Sequence, residues 1–386
     1  MVDARSRWVE ALHELASQAR HAIHDRLHTR TRVPASMNPA VTSPFVDGAA
    51  TSTASVLARL DANPLYVIGG RQRSERTLLD VAESWYGYGL GVILQINGSG
   101  VSTVVEYTSR PGTYGVDDAV LFKSASRVGD RLYCCTQTEV VVLALPDFSE
   151  VAYISLPIFN DVHHVVPTSS GTLLVAVSGL ELVVEVTLQG DVLREWNVLG
   201  EDTWASHPHD ADYRSGVDLK PHRAHPNFVF MVDDEPFVTR FELRDAVSLD
   251  DPLRRIAIGG ERVHDGVSHD GLIYFTTVDG QVVIVDAGTL QVVERHRLGR
   301  MPSRRGENDG PLGWCRSLYI DDEWCWVGFS RIRPTRLRQT VSWVRSGGVQ
   351  QAPTRISRYR MSDWTCDAEI DLEPFGLNAV FTVASA

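Results

Sequence analysis

Asp161-Val162-His163-His164-Val165-Val166-Pro167-Thr168-Ser169-Ser170-Gly171-Thr172-Leu173-Leu174-Val175-Ala176-Val177 reads as two short strands joined by a Ser-Ser-Gly turn. Its β-branched run suits a pleated, largely buried surface. Two further strands follow, Leu182–Thr187 and, after Gln-Gly-Asp, Val192–Val198. The four together form one antiparallel unit.

The unit recurs. A second copy runs Gly266–His269, Leu272–Val278, Gln281–Asp286 and Val292–Leu298, with turns at Asp270-Gly271, Asp279-Gly280 and Gly288. A third takes Ala119–Ser124, Asp130–Thr136, Glu139–Leu145 and Glu150–Leu156. Less regular copies span His222–Ile258 and Trp314–Leu372, the latter with an insertion near 333–353. The runs Leu65–Ile68, Val92–Ile96 and Val101–Tyr107 lack a first strand, whereas the C-terminal run 376–383 lacks partners. Pairing them completes a sixth blade and closes a ring, removing exposed sheet edges. The predicted fold is all-β, a six-bladed β-propeller over residues 64–386, preceded by an N-terminal helix and strap over 1–63. Residues 4–28 carry Trp8, Leu12, Leu15, Ala19, Ile23 and Leu27 on one stripe, the pattern of an amphipathic helix. The helix or the arginine-rich insertion could join copies in a homo-oligomer.

Composition bounds the function. The chain has 386 residues, 43% hydrophobic and 22% charged, with a formal charge of -12. That balance argues against nucleic-acid and anionic-membrane partners, which need a basic face. No signal-peptide pattern or membrane-spanning run is legible, and the five cysteines show no CxxC spacing, so a reduced cytoplasm is expected. Walker, GxGxxG, HExxH and GxSxG signatures are absent, so no nucleotide cofactor is expected. Cys134-Cys135 falls mid-strand, with one thiol expected on each side of the sheet.

Eight of the thirteen histidines lie between 161 and 270. Aligning the blades on their hydrophobic strands puts His163, His222 and His264 at one height on the channel wall, with Asp117 or Asp118, Cys315 or Arg316, and Asn378 at the matching positions. Three convergent imidazoles suit a divalent transition metal (Zn, Fe, Mn, Cu or Ni) with open positions for water and substrate. Asp161, Asp210 or Asp265 could fix an imidazole tautomer, and Arg223 or Arg316 could clamp an oxyanion. Without metal, the imidazoles supply acid and base groups. His164 is expected to pack between blades, His225 and His269 near turns, and His207 and His209 on a loop that either covers the channel mouth or is simply solvated.

The strand rhythm resembles six-bladed propellers of the senescence-marker-protein/gluconolactonase, NHL/YVTN and streptogramin-lyase-like superfamily. Gluconolactonase-type members bind a divalent ion through carboxylates and amides, whereas this chain offers imidazoles. The resemblance to streptogramin-lyase-type members implies a channel histidine acting as base beside a metal. The expected function is an enzyme acting on a small, anionic organic molecule, as lyase, cyclase or hydrolase, with His163, His222, His264, Arg223, Asp265 and Arg316 as catalytic candidates and His163, His222 and His264 as metal ligands. The alternatives are a cofactor-free cyclase with a histidine base and a non-catalytic propeller that binds a protein or peptide.

Overall fold

The computed structural model describes residue 60 and residues 63–73, 87–113, 119–214, 219–300, 312–321, 323–331 and 352–386. All of these belong to the second of two compact units, Pro44–Ala386. The predicted helix at 4–28 lies outside the described residues, as does most of the arginine-rich insertion.

Among the described residues, twenty-four strands form six four-stranded antiparallel sheets. Blade one contains β1 (Leu65–Gln72), β2 (Tyr88–Asn97) and β3 (Gly100–Tyr107). Blade two contains β4 (Ser124–Val128), β5 (Arg131–Cys135), β6 (Val140–Ala144) and β7 (Glu150–Ile154). Blade three contains β8 (Val162–Pro167), β9 (Leu173–Val177), β10 (Leu182–Val186) and β11 (Val192–Asn197). Blade four contains β12 (Pro226–Val232), β13 (Glu235–Arg240), β14 (Asp245–Ser248) and β15 (Arg255–Ile256). Blade five contains β16 (Val263–His269), β17 (Leu272–Thr277), β18 (Gln281–Asp286) and β19 (Gln291–Arg297). Blade six contains β20 (Trp314–Asp321), β21 (Trp324–Ser330), β22 (Arg355–Arg360) and β23 (Cys366–Asp371). The last strand, β24 (Ala379–Ser385), pairs with β1 and becomes the inner strand of blade one, so the chain's final strand closes the ring.

The six inner strands β24, β4, β8, β12, β16 and β20 contact one another in that cyclic order and wall the channel. Between blades, apolar faces form separate cores. Cys135 packs with the β5–β10 residues and Cys134 with those of β1, β2 and β6, so the vicinal thiols do face opposite sides of one sheet. Blade six is held partly by ions: Arg358 makes a bidentate pair with Asp367 and lies 4.2 Å over Trp324, while Arg355 pairs with Glu369 at 2.7 Å. Arg355 and Arg358 are therefore internal structural residues.

One strand differs from the sequence reading. The inner strand of blade two is Ser124–Val128, so the predicted Ala119–Ser124 forms mostly the approach to it. Residues 117 and 118 lie outside the described residues, and Lys123 stands just ahead of β4.

Candidate functional site

Five inner strands share a defect near their first residues. The register slips between Val162 and His164, between Pro226 and Val229, between Val263 and Gly266, between Cys315 and Ser317, and opposite Ile68/Gly69 where Phe381 is passed over. Each slip leaves one residue more on the inner strand than on its partner, the arrangement of a β-bulge, which twists a strand and re-aims a side chain. The residues freed this way include His163, His264, Asp265, Arg316 and Phe381. Gly266 completes the blade-five bulge because a Cβ there would lie 2.9 Å from ring atoms of Phe230 and Phe275.

This register corrects the alignment of His222. His163 and His264 are each second in their inner strand, but the second residue of β12 is Asn227. His222 lies ahead of the strand, on a short approach that also carries His225. Glu181 of blade three fixes that approach: its carboxylate accepts from the backbone N–H of Arg223 (2.5 Å), Ala224 (3.1 Å) and His225 (2.8 Å). His225 sits in the left-handed region at φ 57°, which turns its ring back toward His222.

The imidazoles of His163, His225 and His222 stand side by side. His225 Nε2 is 3.2 Å from His163 Nε2, and its Nδ1 is 2.7 Å from His222 Nδ1. His163 Nδ1 lies 2.7 Å from the Asp161 carbonyl and 2.9 Å from Ser178 Oγ. The Asp161 carboxylate, also on a left-handed residue, pairs through Oδ1 with the buried Lys123 ammonium. Its Oδ2 lies 3.7 Å from Lys220 Nζ and 3.9 Å from His222 Nε2. Both of those facing atoms, Asp161 Oδ2 and His222 Nε2, are buried without a hydrogen-bond partner among the described residues. Asp161, His222 and His225 each offer one ligand atom within 4.8 Å of the others.

Electrostatics sort the charges. Burial opposes ionisation of Asp161, but Lys123 and Lys220 overcome it and hold the carboxyl well below its usual range. Burial, reinforced by Lys123, pushes His163 well down, and burial with His222 does the same to His225. His222 is lowered by burial against the pull of Asp161. This corner holds neutral imidazoles around one ionised carboxylate.

His264 belongs to a different group. Its Nδ1 is 2.7 Å from Asp265 Oδ1, and Phe241 and Phe381 lie 6.5 and 6.3 Å from its ring. Burial and then Arg316 push His264 well below neutrality, while burial raises Asp265 well above the carboxylate range. Both directions favour an un-ionised carboxyl that donates to a neutral ring. Arg316 is buried, with its guanidinium 4.6 Å over Phe381 and 5.5 Å over Trp314.

The remaining candidates are placed as follows. Arg223 points out to solvent and pairs with Glu201 at 2.5 Å. Cys315 is buried in the core between blades five and six, and Asn378 accepts from the Gln72 N–H. His164 accepts from the Val229 N–H, lies 3.8 Å from the Phe228 ring, and is pushed down to about 3 by burial; it is an inter-blade packing residue. His209 and Asp210 are exposed, His207 Nδ1 reaches the Thr203 carbonyl, and His269 lies beside the Asp270-Gly271 turn. Of the three predicted ligands, His163 and His222 stand in this corner and His264 lies in another group. The three ligand atoms within 4.8 Å of one another belong to Asp161, His222 and His225. The sequence reading passed over Lys123, Lys220, Ser178 and Glu181; the one available signal was the i, i+3 spacing of His222 and His225.

No family model matches the chain, and no curated protein sequence matches it. In structure the chain is similar to a protein of unknown function from Bacteroides caccae, with a TM-score of 0.54 at 13% identity, covering 84% of this chain and 98% of that one. A streptogramin B lyase aligns with a TM-score of 0.42 at 12% identity, over 81% of this chain and 88% of its own. At 13% identity the likeness to the Bacteroides caccae protein speaks for architecture alone, and the propeller itself is read from the six four-stranded sheets.

Proposed function

We propose that the channel is the active site of an enzyme that transforms a small, anionic organic molecule by imidazole acid/base chemistry, assisted by a divalent transition metal, in a lyase or cyclase reaction. The observation that carries this reading is the pair of buried atoms, Asp161 Oδ2 and His222 Nε2, facing each other with His225 alongside. Buried polar atoms of this kind are costly unless something satisfies them. A carboxylate with neutral imidazoles is a donor set that suits Zn, Fe, Mn or Cu. Bound there, such an ion would polarise a substrate oxygen and acidify an adjacent proton.

The chain's own groups divide the remaining work. Lys123 keeps Asp161 ionised. Lys220 and Arg316 supply the positive charge that draws an anionic substrate into the channel. The His264–Asp265 pair gives and takes a proton, because its single shared proton sits between two groups whose burial resists charge. Phe381, Phe241 and Trp314 provide apolar wall.

A second reading, a cyclase without metal and with His222 as base, draws on Lys220 standing 3.7 Å from Asp161 Oδ2, where an ammonium already offsets the carboxylate. Metal analysis of tag-free protein separates the two. The metal reading expects close to one equivalent of a transition metal per chain; less than about a tenth of an equivalent removes it.

A further inference from the structure

The hydrogen bonds at one end of the imidazole row decide which nitrogen carries a proton in every ring. Ser178 Oγ donates to the Pro226 carbonyl, so toward His163 Nδ1 it can only accept. The Asp161 carbonyl, 2.7 Å from the same nitrogen, also only accepts. His163 Nδ1 is therefore the N–H. In a neutral ring this leaves Nε2 as a lone pair, and His225 Nε2, 3.2 Å away, must donate to it. His225, neutral in turn, keeps a bare Nδ1, which accepts from His222 Nδ1 at 2.7 Å. His222 is then bare at Nε2. Across 3.9 Å stands Asp161 Oδ2, part of a carboxylate whose other oxygen pairs with Lys123, with Lys220 on its other side. Neither facing atom has a proton to donate.

We infer that His163 and His225 are positioning residues, a tautomer relay anchored on Ser178 and the Asp161 carbonyl that presents an unprotonated His222 Nε2 to Asp161 Oδ2 and makes the gap between them a site for a divalent transition metal. The relay begins and ends on Asp161: the backbone carbonyl sets its first proton and the carboxylate faces its last lone pair. The inference rests on the metal reading above and assigns roles within it. Asp161 and His222 contribute the ligand atoms, and His225 is the acceptor behind the ligand. A histidine ligand commonly donates its second ring N–H to such an acceptor, which fixes ring orientation and raises ligand basicity.

The test uses the full chain with 15N-labelled histidine and, separately, cobalt(II) as the metal probe. In the metal-free protein, ring-nitrogen shifts should report the Nδ1–H form for His163 and His222 and the Nε2–H form for His225. An Nε2–H form of His222 overturns the relay. In cobalt titrations followed by visible absorption, His222→Gln should abolish binding. His225→Phe should weaken it by about 10- to 100-fold. Equal, complete loss in both variants would make His225 a ligand, and unchanged affinity in His225→Phe would make it irrelevant; either result overturns the assignment. No cobalt uptake by the wild-type protein would overturn the metal reading and with it the ligand roles of Asp161 and His222, while the nitrogen shifts judge the relay without metal.

Discussion

Acidification should destabilise this propeller well before its carboxylates titrate, because it buries neutral histidines. His163, His164, His225 and His264 all have folded-state pKa values pushed well below the ordinary 6.5, burial being the largest cause in each. The sign is fixed by linkage. Below pH 6.5 the unfolded chain takes up protons at these four positions and the folded chain does not, so stability falls as pH falls. For one such residue the loss between pH 7 and 5.5 is about 1.2 kcal/mol, and four together lose about 5 kcal/mol. Asp265 works the other way. Its raised pKa lets the folded state keep a proton that the unfolded state releases, which returns up to about 2 kcal/mol over the same interval. The net fall is about 3 to 5 kcal/mol. At a urea m-value of about 3 kcal/mol/M, the unfolding midpoint should drop by about 1 M or slightly more. Urea titrations followed by tryptophan fluorescence, at pH 7.0, 6.5, 6.0 and 5.5 with chelator present, measure this directly. A midpoint that moves by less than about 0.3 M would refute the argument that these rings are buried and uncharged.

Other perturbations probe single contacts. Lys123→Met leaves the Asp161 carboxylate buried beside a half-exposed Lys220 and should cost about 3 to 5 kcal/mol, a fall of about 6 °C in Tm, most of it recovered in Lys123→Met/Asp161→Asn. A single variant that melts with the wild type would show the pair is not enclosed. Glu181→Ala removes the acceptor for three backbone N–H groups and should cost about 2 to 3 kcal/mol, while lowering cobalt affinity by displacing His222; calorimetry and the cobalt titration read the two effects separately. Gly266→Val should cost about 1 to 3 kcal/mol through overlap with Phe230 and Phe275, seen as a lower urea midpoint. Arg223→Ala should leave both stability and cobalt binding within error, since its guanidinium is exposed and pairs with the exposed Glu201.

The blades were legible because each obeys a local rule. The strands 162–167 and 281–286 begin and end where their β-branched runs meet turn residues, and the unpaired run at the C-terminus had only one place to go. The site was less legible, because it depends on where regularity breaks. Aligning the blades assigns His163 to the channel, and alternation from it sends His164 to the blade interior, where its ring lies 3.8 Å from that of Phe228. Alternation gives no reason to prefer Ser124 over Ala119 as the start of β4, and so Lys123 stayed hidden. His222 and His225 were harder still. They reach the channel from an irregular approach whose path is set by a carboxylate some forty positions earlier, Glu181, and no periodic pattern encodes that hydrogen-bonding. Of the three predicted ligands, His163 and His264 share a register at the second position of their inner strands, and His222 lies ahead of its strand.

The repeated bulge explains why one end of this ring can be polar at all. A regular inner strand alternates its side chains between the two blades it separates, and a charged residue there is forced into an apolar layer. An extra residue at the start of β8, β16 and β20 breaks the alternation for one step, and in those steps stand His163, His264 with Asp265, and Arg316. Beyond the bulge the register resumes, and Val165, Val267 and Leu318 return to apolar clusters. The polar groups are thus confined to one short zone of the channel, where their neighbours are mostly each other. That confinement strengthens every charge interaction in the zone and raises the cost of any unpaired atom. It is the reason two atoms without a hydrogen-bond partner among the described residues, Asp161 Oδ2 and His222 Nε2, carry more weight here than the same atoms would on the surface.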